Sequence, residues 1–175
     1  VRILGPPTAT LEDLLAGARR LGAAPLFLDS IAPNIWTAAR RHCVDPAGAI
    51  AQAFKETNGG KFTGNVKAQF YNPAGIKVRH PGLFPDIPET IGDGPLAHSM
   101  FANWATGCEA MIQHLLAYTG CLFEDVGYLV IDPRVVFVIA NNYRVETFEE
   151  LGGKWAPNPN YGNEIVETLN RILGA

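Results

Sequence analysis

The chain has 175 residues, 47% of them hydrophobic, a size that supports one well-buried domain with room for a small lobe. Its 14 basic and 17 acidic side chains are dispersed and nearly balanced, for a net charge of −3, so no run of Lys and Arg offers a footprint for nucleic acid. No apolar stretch approaches the roughly 20 residues that cross a bilayer, and no charged-then-apolar leader opens the chain.

Residues 1–9 carry Pro6-Pro7 and read as a lead-in. Thr10, followed by Leu11, Leu14, Leu15, Ala18 and Leu21, predicts an amphipathic helix with the threonine as N-cap and Asp13 three residues on. Gly22 and Pro25 punctuate it. A second helix is predicted from near Ser30 through Ile35, Trp36 and Ala39 to about Cys43, with Pro33 in its first turn, where a missing N–H is tolerated. Asp45-Pro46 supplies an N-cap followed by proline at the first helical position. The helix it starts puts Ile50, Ala53, Phe54 and Thr57 on one buried face. Glu56 sits in its last turn, with Gln52 one turn behind on the same side. Asn58-Gly59-Gly60 then stops the helix, since these residues accept backbone angles a helix cannot use.

From 59 to 99 glycine and proline become frequent, periodicity fades, and strand-like pieces appear at about 61–70 and 75–79. The polar and aromatic content of this stretch suits a binding lobe. Helical texture returns at 101–119, where Cys108, Met111, Ile112, Leu115 and Thr119 form a core stripe and Gly120 supplies the stop. Val135–Ala140 is apolar all round and is expected to be buried, as helix or strand. Thr147-Phe148-Glu149-Glu150 predicts a capping box opening a very short helix that Gly152-Gly153 ends. Asn160 is expected to cap a final helix whose buried face is Ile165, Val166, Leu169, Ile172 and Leu173. The expected fold is mainly α, a single domain over 1–175 with an irregular or β-bearing lobe at 59–99 inserted after Glu56.

Cys43, Cys108 and Cys121 are too few and too irregular for a disulfide scaffold. Cys43 and Cys108 fall within helical apolar patterns and read as small core residues, and a Cys108–Cys121 bridge stays open. His42, His80, His98 and His114 show no metal-ligand spacing, so neither a metal nor a cofactor is expected. His114, amid Met111 and Leu115, reads as a hydrogen-bonded core histidine.

A Glu at a helix end followed by an irregular lobe is the layout of lysozyme-like enzymes. Ala51-Gln52-Ala53, Glu56-Thr57 and Tyr71-Asn72-Pro73-Ala74-Gly75-Ile76-Lys77 together resemble the bacterial and phage glucosaminidases of glycoside hydrolase family 73. Phe101-x-x-Trp104-x-x-Gly107 and Gln113-His114-Leu115-x-x-Tyr118 resemble that family's next helix. Leu151-Gly152-Gly153-Lys154-Trp155-Ala156-Pro157 with Tyr161-Gly162 resembles its C-terminal segment. The likeness runs from about Ile31 to the C-terminus in the family's order. Two departures stand out. Asn58 replaces the usual glycine after Glu-Thr, a change the left-handed tolerance of asparagine absorbs. The second carboxylate, which the family places beyond Gly-Ile-Lys, falls to Asp86, Glu89 or Asp93, with Glu89 favoured by its position before Thr90-Ile91-Gly92.

The resemblance implies an endo-β-N-acetylglucosaminidase that cleaves the β-1,4 bond after N-acetylglucosamine in peptidoglycan glycan strands. The alternatives are a lytic transglycosylase or muramidase, or a non-catalytic wall-binding or virion structural domain. Glu56 would be the general acid, its pKa raised by partial burial. Glu89 would be nucleophile or base according to its distance, or the substrate's own 2-acetamido group would serve, held by Tyr161 or Tyr71. Tyr71, Asn72, Gly75, His98, Trp104 and Trp155 are the expected sugar-binding residues. Such a protein acts at the bacterial cell wall, secreted or phage-delivered, and its acidic balance (pI ≈ 5.8) leaves targeting to a larger polypeptide or a virion.

Overall fold

The computed structural model describes residues 1–78, 97–121 and 129–175. Glu89, Asp86, Asp93 and His80 lie outside them. The architecture is mainly α-helical, and among the described residues β structure is limited to isolated bridges. Among the described residues six α-helices carry it: α1 (Leu11–Arg20), α2 (Ala32–Arg41), α3 (Pro46–Thr57), α4 (Trp104–Thr119), α5 (Val135–Ala140) and α6 (Tyr161–Leu173).

The caps read from the sequence are largely in place. Thr10 Oγ1 accepts from Asp13 N–H, Asp45 Oδ1 accepts from Ala47 N–H ahead of Pro46, and Gly120 ends α4 in the left-handed region. Asn160 departs from this, because its side chain caps nothing and the Asn158 carboxamide takes its N–H instead. The second helix has Pro33 in its first turn, as expected, since α2 runs from Ala32 to Arg41. A π-helical turn, Phe27–Ile31, leads into it, with Ala32 N–H reaching Phe27 O, so the segment absorbs a residue that cannot donate.

The centre of the molecule is α3. It was expected to bury one face, yet every residue from Pro46 to Ala53 is buried. Its alanines and Gly48 let neighbouring elements approach from all sides, and it packs against α2 and α6. A Cβ at Gly48 would fall 2.1 Å from the ring of fully buried Phe148, so only glycine fits the contact. Around this axis α1 lies on α6, and α4 lies on α2 and α5. The lead-in is part of the core: Ile3 is fully buried, its N–H bonds to Glu146 O and its carbonyl accepts from Asp45 N–H.

Other expectations change as well. Cys43 is exposed with φ +56 in the turn after α2, and all three cysteines are free thiols. Helix α5 is amphipathic rather than enclosed, with Val135 and Val138 inward and Val136 and Ile139 exposed; Leu173 is likewise exposed. Residues 61–70 hold bends and a 3-10 turn, Ala68–Phe70, instead of a strand. What pairs is Lys77 with His98, flanked by Val78 N–H to Ala97 O and Ser99 N–H to Ile76 O. The predicted capping box does not form: Glu150 accepts from Glu146 N–H instead of Thr147 N–H, and no side chain caps the 3-10 turn Glu149–Leu151.

Candidate active site

At the point where α3 leaves the core, its polar residues meet α6. Asn58 adopts φ +50, and Gly59 N–H reaches back to Phe54 O, closing the helix with a left-handed cap. Thr57 turns inward, its hydroxyl donating to Ala53 O and accepting from Gly60 N–H. That leaves Glu56 facing outward into a cleft of about 690 Å³, a size typical of ligand sites. Lys55, Asn58, Phe62, Thr63, Asn65, Asn72, Gly75, Lys77, His98, Arg134 and Trp155 are among the residues that wall it.

Behind Glu56 runs a buried relay. Tyr161, the first residue of α6, donates its hydroxyl to Glu56 Oε1 at 2.6 Å, and Gln52 Nε2 donates to the same hydroxyl at 2.9 Å. Gln52 is fully buried and its Oε1 has no partner. Rotating the Gln52 amide reverses the chain of donors, so that protonated Glu56 donates to Tyr161 and Tyr161 to Gln52. The relay therefore suits either charge state of the carboxyl. Burial pushes the Tyr161 phenol well above its ordinary range, with Glu56 adding to the shift, so it stays a donor.

The Glu56 pKa is raised above the usual carboxylate value by burial, against the opposing pull of the Tyr161 hydrogen bond and the Lys55 charge. By accessible area Glu56 is nevertheless an exposed residue. Both hold, because the cleft admits water while protein surrounds the carboxyl on its other sides. Lys55, at the cleft wall, is paired with Glu164 at 2.9 Å and lies over the Tyr161 ring.

The cleft floor is the Asn72–Gly75 turn. The Asn72 amide is buried, donating to Ile76 O and Ser99 O and accepting from Ile76 and Ala74 N–H. With both donors and both lone pairs engaged, it shapes the floor and ties residues 72–76 to residue 99. Gly75 sits at φ +62, and a Cβ there would lie 3.9 Å from Glu56 Oε2. His98 and Trp155 also line the cleft, Trp155 being backed by His114 and Tyr118.

Of the residues expected from sequence, Glu56, Asn72, Gly75, His98 and Trp155 come together around this cleft, with Tyr161 beneath them. Tyr71 and Trp104 do not line it. They pack edge to face at 5.4 Å, with Trp104 also against Phe62, and it is Phe62 that reaches the cleft. The Tyr161 hydroxyl is held between Gln52 and Glu56, and Tyr71 lies elsewhere, so neither is placed to hold a substrate acetamide. His114 is a buried partner of Asp132, Nδ1 to Oδ2 at 2.7 Å.

Sequence reasoning missed the cationic side of the cleft. Arg134 and Lys55 carry no local signature, Lys77 entered only as the last residue of the Tyr71–Lys77 motif, and Phe62 was not singled out. Burial lowers the pKa of Arg134, opposed by Tyr118 and Asp132, and its guanidinium stacks 4.7 Å from the Phe137 ring. Among the described residues no three His, Cys, Asp or Glu side chains converge as a metal site would require. Chemically, the arrangement offers a solvent-reachable acid with a raised pKa, a fixed orientation and an open groove beside it. No family model, curated protein or solved structure matches the chain.

Proposed function

We propose that the protein is a peptidoglycan hydrolase, an endo-β-N-acetylglucosaminidase on a lysozyme-like scaffold, acting at the bacterial cell wall. The reading is carried by Glu56: a carboxyl at the end of a core helix, its pKa raised by burial, anchored by Tyr161 and facing a cleft of about 690 Å³. A glycosidic oxygen is a poor leaving group until protonated. A carboxyl that keeps its proton toward neutral pH can supply that proton, and the Tyr161 anchor fixes the direction from which it comes. Phe62 and Trp155 give the groove apolar walls for sugar faces, and the bare backbone at Gly75 lets a ring approach the acid. Positive charge developing on the sugar would be met by Glu89, at about 5–5.5 Å as a nucleophile or about 6.5–9.5 Å as a base, or by the substrate's own 2-acetamido oxygen.

Digestion of purified peptidoglycan with the wild type and Glu56→Gln tests this. Release of fragments with reducing N-acetylglucosamine ends by the wild type alone supports the reading. Anhydro-muramoyl ends would make it a lytic transglycosylase. Binding by both proteins with no release by either would make it a wall-binding module.

A further inference from the structure

Beyond Gly75 the cleft opens into a side pocket of about 140 Å³. That is room for only about four to five water molecules, so it takes a substituent and not a sugar ring. Gly75, Lys77, Arg134 and Trp155 line both spaces. Lys154 joins Lys77 and Arg134 on the pocket wall, with Tyr118 among the aromatic groups, and no described carboxylate lines it. The nearest acid in sequence, Asp132, is already engaged: Oδ2 with His114 and Oδ1 with the Arg134 backbone N–H. Asp132 acts on Arg134 through its charge but forms no ion pair with it, and the Arg134 Nε is buried without an acceptor. Arg134 and Lys154 give this small, aromatic-walled space a positive side that favours an anion. A guanidinium with unspent donors is suited to a carboxylate, which it can take through two parallel hydrogen bonds.

Resting on the glucosaminidase reading, we propose that this pocket is a carboxylate subsite in which Arg134, with Lys154 beside it, receives the lactyl carboxylate of a peptide-free muramoyl unit. In the bond cut by such an enzyme, the oxygen protonated by Glu56 is O4 of the muramoyl sugar. The lactyl ether hangs from O3, on the adjacent carbon. Gly75 stands between the acid and the pocket, with no side chain to block that substituent. The pocket volume favours the bare lactyl group over a carboxylate of the stem peptide, whose attachment turns the lactyl carboxyl into an uncharged amide.

The test compares glycan strands stripped of peptide, the same strands with lactyl carboxyls converted to methylamides, and strands carrying stem peptides. Wild type should cleave the carboxylate strands with kcat/KM about 10- to 100-fold above the methylamides, the range of a charge-assisted hydrogen bond. Arg134→Gln should bring that ratio near one, Arg134→Lys should restore part of it, and Lys154→Gln, at an exposed position, should reduce it without a folding penalty. Equal rates on carboxylate and methylamide strands would overturn the subsite while leaving the glucosaminidase intact. Preference for peptide-bearing strands would overturn the lactyl assignment in favour of a stem carboxylate. If no strand is cut, the glucosaminidase reading fails and the subsite is judged separately. The Arg134 Nε–Hε NMR signal of Glu56→Gln should then shift with N-acetylglucosaminyl-muramic acid and stay fixed with its methylamide. A signal unmoved by either overturns the proposal.

Discussion

Two glutamates on core helices meet opposite fates. Glu109, on α4, is buried among partners that carry or share charge: His42 on Oε1, the Arg41 guanidinium at 3.1 Å from Oε2, and Gln113 Nε2 at 3.2 Å. Burial alone would raise its pKa, but the hydrogen bond and charge of His42, the Gln113 amide and Arg41 outweigh burial and hold it low. Glu56 is gripped by a neutral phenol, its neighbour Lys55 is spent on Glu164, and burial wins. A carboxylate fixed by cations is a strut. One fixed by a neutral donor is left able to hold a proton, which is what separates a candidate acid from a structural anion.

The sharpest way to break the comparison is to neutralise each in turn. Glu56→Gln should lower release of reducing sugar from peptidoglycan by about 10²- to 10⁴-fold with the fold intact; retention of more than a tenth of the activity would remove Glu56 from the mechanism. Glu109→Gln should behave in the opposite way, costing about 1–2 kcal/mol in urea unfolding because it weakens the buried hydrogen bonds to His42 and Gln113, while the pH profile of activity keeps its shape.

A smaller effect is expected at the anchor. Tyr161→Phe removes one hydrogen bond from Glu56 and another from Gln52, a loss of about 1–2 kcal/mol in stability. The phenol normally pulls the Glu56 pKa down, so its removal should let that pKa rise further. Since the acid works when protonated, the alkaline limb of the rate profile should move to higher pH; a downward shift would contradict the arrangement.

The finest distinction is in stability against pH. Glu109 has a folded-state pKa below its unfolded value, so its contribution is complete above about pH 4.5 and is lost as pH falls through the depressed folded value. Glu56 has a raised folded-state pKa. Its folded form binds more protons, so stability falls as pH climbs from about 4.5 through the raised value. The Tm of Glu56→Gln relative to wild type should therefore increase over that interval and stay level in more acidic buffer. Parallel thermal curves would mean that the two carboxyls do not differ as proposed.

Much of this site was legible locally. Glu56 in the last turn, Gln52 one turn back, the Asn58 stop and the Asn72–Gly75 turn all follow from spacing and from the backbone preferences of single residues. Tyr161 could be singled out but not given its hydroxyl partners, since Gln52 and Glu56 lie more than a hundred positions away in sequence. Trp104 and Phe62 show the same limit at closer range. Both are aromatic and near the lobe, and packing against Tyr71 decided which of them reached the cleft.

What the sequence by itself determined is most of the helices, most of their caps and the position of one acid at the end of a buried one, because these depend on periodicity and on φ/ψ preferences that act within a few residues. Only the tertiary structure decided which groups surround that acid. Tyr161 at its back and Arg134 across the cleft arrive from distant elements, through the packing of α6 on α3 and of α5 on α4. Burial and charge are properties of the assembled neighbourhood, so the difference between Glu56 and Glu109 exists only once the helices have met.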